Sequence, residues 1–524
     1  MILIHPPVVK PCEPPAGLAK LAGVMYGHDI PCKVIDANLE GLLSLLLGEE
    51  KGAYEHARRI NGNDSDIPEN FLNTWTSRSY RCLESNIAAL TSRETYKNID
   101  RYKRAVIDLN RVLEVESARG DVHLSLANYL DQNLSPIRSE DLIRASEIPG
   151  HNPFYAYFKK RLLLALQQEC HTVIGFSLNY LSQALCTFAM IGFLKRRYPG
   201  IRVVLGGGLV TSWLRRPGWS NPFGGLVDDM VAGPGEAAIL SIHGAACKQC
   251  HHTPSYAISS IKGYLAPGFI LPYSASSGCY WTKCSFCPEK AEGNPYEPVP
   301  VGKVITDIHD LVRRTNPTLV HLLDNAVSPA LLNAITASSF SFPWYAFAKI
   351  SSHLTDLDFC KALKRSGCVM LQLGLESGNQ DVLDSMQKGF DLKTASAAVT
   401  CLKKAGIATY VYLIFGTPRE TETEARNTLD FAARHSGQID FLNLAIFNLP
   451  AYSPEAHDLE VTDFYEGDLS LYRDFLHPRG WNRSLVRQFL DRVFKRHPAI
   501  ASILRKVPPI FTCNHAPFFV RQVH

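Results

Sequence analysis

Three cysteines stand in one short stretch, Cys279-Tyr-Trp-Thr-Lys-Cys284-Ser-Phe-Cys287, preceded by Ser276-Ser277-Gly278 and followed by Pro288. Three thiolates on one loop can grip three corners of an iron-sulfur cube, and with no fourth protein ligand nearby one iron is left open. An open iron on a low-potential cluster can bind and reduce a small molecule, so this spacing points to catalysis. A zinc ribbon would need a fourth Cys or His at a matching distance, and Glu289 to Tyr296 offers none. Thiols packed into a core are the third reading.

Elements that could position such a loop follow it. Thr318-Leu-Val-His-Leu-Leu323 ends at Asp324-Asn325, Trp344-Tyr-Ala-Phe-Ala348 at Lys349, and Val369-Met-Leu-Gln-Leu373 at Gly374-Leu-Glu376-Ser377-Gly378. Ala408 to Phe415 ends at Gly416-Thr-Pro418, and Phe441 to Ile446 at Phe447-Asn448. Helical spacing occupies the intervals, as in Asp356 to Ser366, Leu392 to Ala405 and Thr423 to His435. Repeated βα units with polar or glycine residues at each strand's carboxyl end describe a parallel barrel, whole or partial, with its site on that rim. The cysteine loop would follow its first strand. Rim aromatics (Tyr280, Trp281, Trp344, Tyr345, Phe347, Tyr412, Phe447) could face a planar or hydrophobic substrate, although most barrel aromatics are core.

The amino-terminal half has a different rhythm. Met1 to Ile4 reads as a buried strand stopped by His5-Pro6-Pro7, the stretch from Gly17 to Met25 as a helix, and Cys32 to Asp36 as a second strand. This is how a doubly wound parallel sheet begins. From about 48 to 169 charged, helix-compatible stretches such as Thr91 to Val115 and Phe154 to Gln168 indicate a mostly helical insertion. Strands return at Thr172 to Ser177, Arg202 to Leu205 and Val227 to Val231, with a helix from Ser182 to Arg197 between the first two. The turns Gly206-Gly207-Gly208 and Gly233-Pro-Gly235-Glu236 fall at strand ends, where glycine lets a ligand approach backbone closely. The glycine run matches neither a Walker loop nor the dinucleotide fingerprint, and a purely packing role for it is equally open. Cys247-Lys-Gln-Cys250-His251-His252 lacks a second ligand pair and reads as a linker. Beyond about Ala451 the βα order fails; amphipathic Ser484 to Lys495 and the aromatic end from Phe511 suggest a region that caps the rim.

With 524 residues, two or three domains are expected. A net charge of +4 gives no reason to expect nucleic acid as a partner. Fourteen cysteines without a signal peptide fit a reducing cytoplasm in which thiols remain free as ligands. No apolar run reaches the ~20 residues needed to span a bilayer.

Together the cysteine trio with Phe286 before its last member, the Gly374 to Gly378 strand end, the Gly416-Thr-Pro-Arg-Glu-Thr421 turn and the Gly233 to Glu236 turn make the chain resemble radical S-adenosylmethionine (SAM) enzymes with an amino-terminal cobalamin-binding domain. The usual trio has three residues between its first two cysteines; here there are four. Many cobalamin proteins carry Asp-x-His-x-x-Gly, and the same frame here reads Asp36-Ala37-Asn38-Leu39-Glu40-Gly41, without the histidine.

The resemblance implies an α/β chain in three parts. These are a Rossmann-like cobalamin domain over 1–250 with the helical insertion, a partial TIM-type barrel over 251–455, and a small helical capping region over 456–524. It implies that Cys279, Cys284 and Cys287 hold a 4Fe-4S cluster, and that Phe286, Gly374, Glu376, Ser377, Gly378, Gly416 and Pro418 lie against SAM, although Glu376 reads equally as a satisfied carboxylate of the barrel rim. Cobalamin would lie along Asn38, Ser177, Leu178, Asn179, Tyr180, Gly206 to Gly208, Gly233, Gly235 and Glu236, with Leu178 to Leu181 under the lower face of cobalt. Cleavage of SAM would give a 5′-deoxyadenosyl radical, which removes hydrogen from a substrate; methylcobalamin would then methylate that unactivated carbon. Relatives of this architecture also perform cyclisation, rearrangement or oxidation, and a cofactor-sensing protein is the reading outside catalysis. The substrate class, whether small molecule, lipid or peptide, is not encoded in these motifs. A flavodoxin or ferredoxin is the expected electron donor.

Overall fold

The computed structural model describes residues 1–48, 73–168, 172–246, 251–257, 263–338, 340–463, 466–509 and 515–520. The 247–250 part of the possible metal knuckle and the start of the aromatic end at 511–513 lie outside them. Two compact units form, one built on Met1–Phe269 with Glu466–Ser470, the other on Ile270–Tyr465 with Leu471–Pro508.

In the first unit the strands are β1 (Ile2–His5), β2 (Lys33–Asp36), a hairpin of β3 (Val122–Leu124) and β4 (Tyr129–Asp131), β5 (Val173–Ser177), β6 (Arg202–Gly206) and β7 (Asp229–Val231). All but the hairpin join one parallel sheet in the order β2-β1-β5-β6-β7. This is a doubly wound order whose direction of winding reverses between β1 and β5, and such a reversal opens a crevice at the carboxyl edge. Strand β1 is buried along its whole length, as a central parallel strand must be. The helix Leu181–Arg197 buries every residue from Gln183 to Leu194, because the sheet and other helices cover it all round. Gly192 allows this: a Cβ there would stand 1.9 Å from the Ser146 carbonyl oxygen on a crossing helix.

The inserted region is mostly helical, with the hairpin added. The stretch Thr91 to Val115 is not one helix: Leu83–Thr91 ends before it, and Ile99–Ser117 starts afresh where the Asn98 side chain accepts from the Asp100 and Arg101 amides. Buried Asp108 fastens the helix Thr74–Arg81 to Ile99–Ser117, accepting from Trp75 Nε1 at 3.1 Å and Arg78 at 2.6 Å.

The second unit contains β8 (Ile270–Tyr273), a small antiparallel pair of β9 (Ser276–Ser277) and β10 (Glu297–Pro298), then β11 (Leu319–Leu322), β12 (Trp344–Ala348), β13 (Cys368–Glu376), β14 (Ala408–Phe415) and β15 (Phe441–Ile446). Six of these make a parallel sheet in the order β15-β14-β13-β12-β11-β8, each strand beside its sequence neighbour. No pairing joins β15 to β8 among the described residues, so the barrel is partial. Helices Val301–Thr315, Pro329–Ala337, Leu357–Arg365, Leu392–Ala405 and Glu422–Arg434 connect the strands. Strand β13 runs on to Glu376, past the end expected at Leu373.

After the barrel come a three-stranded antiparallel sheet of β16 (Leu449–Pro450), β17 (Val461–Asp463) and β18 (Tyr472–Phe475), then helices Arg483–Phe489 and Pro498–Leu504. Phe489 and Phe494 pack their rings at 6.3 and 5.1 Å from Phe415, the last residue of β14. The tail therefore covers part of the barrel's carboxyl end. No described helix is long and apolar enough to cross a membrane.

Candidate active site

The cysteine loop leaves the carboxyl end of β8 and is pinned at both roots. Strand β9 just before Cys279 pairs with β10 just after the loop, through Ser277 with Glu297 and Ser276 with Pro298. Buried Asp324, at the end of β11, accepts from the Ala275 amide at 3.1 Å and from the Ser276 hydroxyl. Gly278 has φ +69°, and a Cβ there would stand 2.3 Å from the Pro295 carbonyl oxygen, so the two roots meet at a position only glycine can occupy. The four-residue gap is taken up at Thr282, whose φ of 52° turns the chain through the left-handed region. A β-branched residue adopts that region only under constraint.

Cys279, Cys284 and Cys287 are all free thiols and half-buried. Burial pushes the Cys287 thiol up to about 11, and it raises Cys284 against the opposing pull of Lys388. Both therefore need a bound cation to remain thiolates near neutrality. Among the described residues no three His, Cys, Asp or Glu side chains are gathered as they would be around one metal ion. A cube takes each thiolate at a different iron, so its ligands need not converge on a point. Three such thiols on one loop suit a cluster better than a single ion.

The loop's outer side is held by two aromatic-lysine contacts. Trp281 donates from Nε1 to the Gln387 carbonyl at 3.0 Å, and its ring fills the space over Gly389, where a Cβ would come within 2.2 Å of it. Lys349, at the end of β12, places Nζ 3.8 Å from the Trp281 ring centroid. Burial and the neighbouring Lys388 charge lower the Lys349 ammonium to about 8, while Cys284 and Cys279 oppose that shift. Lys388 sits 5.5 Å from the Phe286 ring.

Glu376 and Lys388 form a buried ion pair, Nζ to Oε1 at 3.0 Å. Glu376 has φ +67°, and the register with β14 shifts between Gly374 and Glu376. Gly374 leaves room for the pair: its Cβ would meet Glu376 Oε1 at 2.4 Å. Ser377 is fully buried and shares a hydrogen bond with Thr428, which also accepts from the Gly378 amide at 2.9 Å. A Cβ on Gly378 would stand 2.7 Å from Thr428 Cα on the following helix. The side chains of Glu376 and Ser377 are thus engaged within the unit, and Gly378 serves close packing.

At the end of β14, Gly416 has φ +80° and donates its amide to Glu420. Trp481 Nε1 donates to the same carboxylate oxygen at 3.2 Å, and burial pushes Glu420 up to about 8. Pro418 is half-buried beside it. Of the rim aromatics, Trp344, Tyr345 and Phe447 are core, whereas Phe347 and Tyr412 are half-buried with ring centroids 5.0 Å apart.

In the first unit, the loops at the β1/β5 reversal are tied together by Gln183. Its Oε1 accepts from the Asn179 and Tyr180 amides at 2.9 and 3.1 Å, and its Nε2 donates to the Pro6 carbonyl at 2.7 Å. Asn38 is buried and accepts from the Val9 amide at 2.8 Å. Leu178 is buried and donates its amide to the Gly206 carbonyl at 2.7 Å; Asn179 Oδ1 accepts from the Gly208 amide at 3.0 Å, and Asn179 Nδ2 donates to Ser177 Oγ at the same distance. Gly207 has φ +111°, with its Cβ position 2.5 Å from the Leu178 carbonyl oxygen. Tyr180 stays 60% exposed on this fixed loop. Gly233 donates to Thr211 Oγ1 at 2.9 Å, Gly235 caps the helix Glu236–Ile242, and Glu236 is buried against Lys20 at 2.5 Å.

Residues 273–432, from the end of β8 to the helix after β14, match the radical SAM superfamily. That part of the barrel therefore carries a radical SAM domain. Over 191 residues the chain is 26% identical to an uncharacterized methyltransferase of Pyrococcus horikoshii, across 34% of this chain and 40% of the relative. Over 68 residues it is 43% identical to the bacteriochlorophyllide d C-12(1)-methyltransferase of Chlorobaculum tepidum, across 13% of this chain and 15% of the relative. The alignments thus span less than half the length of either curated relative. The radical SAM methyltransferase TsrM of Kitasatospora setae, solved with cobalamin and a 4Fe-4S cluster, superposes with a TM-score of 0.53 at 14% identity, over 98% of this chain and 92% of that one. TsrM with tryptophan and a SAM analogue gives 0.54, also at 14% identity, over 98% and 90%. Those two likenesses are of fold.

Sequence reasoning missed the roles of Lys349, Lys388 and Gln183. No spacing marks any of them, since each acquires its role through a loop from elsewhere in the chain.

Proposed function

We propose that this protein is a cobalamin-dependent radical SAM methyltransferase that methylates an unactivated carbon. The observation that carries the reading is the pairing, in one chain, of two kinds of parallel sheet. One is doubly wound with a glycine-lined carboxyl edge at its reversal; the other is a partial barrel whose first strand runs into a three-thiol loop. The proposed division is cobalamin over 1–250, cluster and SAM over 251–455, and a cap over 456–524.

The donor sets fit these groups. Three half-buried thiols on one loop suit a cluster, and the fixed loops around Gly207 present backbone and the exposed Tyr180 ring to a large planar ligand. When bound, the cluster supplies the electron that splits the sulfonium of SAM, and cobalamin supplies a transferable methyl group. Cys279, Cys284 and Cys287 hold the cluster. Phe286, Gly374, Glu376, Ser377, Gly378, Gly416 and Pro418 shape the SAM wall through backbone and packing, because Glu376 and Ser377 already have internal partners. Asn38, Ser177 to Tyr180, Gly206 to Gly208, Gly233, Gly235 and Glu236 form the cobalamin edge. No histidine is among these residues, and Leu178 to Leu181 would pack against the corrin. A flavodoxin- or ferredoxin-like donor supplies the electron, and the substrate is a small molecule, lipid or peptide.

The test needs no knowledge of the substrate. Anaerobically reconstituted protein should hold iron and cobalt, cleave SAM to 5′-deoxyadenosine under reduction, and move label from methyl-labelled SAM to its corrinoid. Cleavage without cobalt uptake would leave a radical SAM enzyme and reject methyl transfer through cobalamin.

A further inference from the structure

The cysteine loop stands beside a half-buried ammonium group that no carboxylate among the described residues neutralises. Of the two lysines that later strands and loops bring to it, Lys388 is neutralised by Glu376 at 3.0 Å. Lys349 has no carboxylate within ion-pair distance among the described residues; its Nζ lies 3.4 Å from the carbonyl oxygens of Ile350 and Gly389 and 3.8 Å from the Trp281 ring centroid. That ring is itself fixed by its bond to Gln387 and by its seat over Gly389. The groups whose negative charge reaches Lys349 are Cys284 and Cys279, two of the three thiols. A half-buried cation without a counter-ion is costly, and its energy improves when negative charge is placed nearby. Trp281 lies in the four-residue gap between Cys279 and Cys284, so the lysine is held against the cysteine loop itself.

We propose that Lys349, seated on Trp281, is a positioning residue that acts through the cluster: its ammonium offsets the negative charge added on one-electron reduction and so makes that reduction easier. The inference rests on the cluster reading given above. One electron comes from an external low-potential donor; no atom or proton moves, and the negative charge held by the loop rises by one. A fixed unit charge close to the site, in surroundings of effective dielectric about 20, changes such an equilibrium by roughly an order of magnitude.

The experiment is a redox titration of the reconstituted full-length protein without SAM, with the cluster followed by electron paramagnetic resonance and titanium(III) citrate as the electron source. Lys349→Met and Lys349→Gln should each make reduction about tenfold less favourable, about 59 mV more negative for a one-electron couple. Lys349→Arg, which keeps the charge, should stay near the parent. Lys283→Met should move less, because Lys283 is exposed, 5.0 Å from the same ring, and screened by solvent. Parent-like potentials in both neutral variants would overturn the proposal. So would a shift that appears only when SAM is bound, which would make Lys349 a ligand contact. Loss of the cluster in both neutral variants with retention in Lys349→Arg would support the charge role, whereas loss in all three would reduce Lys349 to a folding residue. Absence of a cluster from the parent protein would instead reject the reading on which the inference rests.

Discussion

The buried pair Glu376–Lys388 decides whether the end of β13 is a ligand-binding carboxylate or an internal brace. Both residues are less than a tenth exposed, 6% for Lys388 and 7% for Glu376, and their charged atoms are 3.0 Å apart. Burial alone would pull the Lys388 ammonium down; Glu376 and Cys284 outweigh it and hold the lysine charged. Glu376→Gln leaves that ammonium buried beside a neutral amide, and Lys388→Met leaves the carboxylate with no cation. Removing one partner of such a pair costs about 3–5 kcal/mol. The double variant Glu376→Gln/Lys388→Met removes both charges at nearly constant volume, so most of that loss should return. The cycle should therefore report a coupling of about 2 kcal/mol or more. Urea denaturation of the parent, both single variants and the double variant measures it. Single variants that each cost under about 1 kcal/mol and add without coupling, as surface pairs do, would refute the reasoning.

Cys284→Ala should abolish the iron-sulfur signal and leave no visible iron absorption after reconstitution; an intact cluster would mean that the ligands are misassigned. Gly389→Ala should expel the Trp281 ring, which its Cβ would approach to 2.2 Å, and lower iron retention in a gel-filtered sample. Gly207→Ala forces a φ of +111° on an L-residue 2.5 Å from the Leu178 carbonyl oxygen. It should cost about 1–3 kcal/mol from the backbone alone and weaken cobalamin uptake measured by absorbance. Glu420 has a folded proton affinity raised from 4.5 to about 8, so its stabilisation is complete below about pH 4.5 and is lost as pH rises through 8. Glu420→Gln keeps the neutral form, and the parent should lose stability relative to it over that window, by up to about 4–5 kcal/mol at 1.36 kcal/mol per unit. Parallel stability–pH curves for the two proteins would refute the buried, protonated state.

The sequence by itself determined the chemistry on offer and the order of elements. Three thiols on one loop are a local fact, and so is the apolar run that makes each parallel strand. Glycines at Gly207, Gly278 and Gly416 mark turns that other residues fit poorly, and chain order makes the barrel strands neighbours. What local patterning could not carry is the choice of partners. Glu376 reads in sequence as either a ligand contact or a satisfied rim carboxylate; the shift in register between β13 and β14 and the return of the loop bearing Lys388 put its charge inside the unit. Lys349 meets Trp281 only because β12 ends beside the cysteine loop, and Gln183 ties its own loop to Pro6 only because β1 and β5 are paired. Periodicity fixes which face of an element is buried. Which charged group finds a counter-ion depends on register and loop closure, which bring together residues far apart in the chain, and those belong to the tertiary structure.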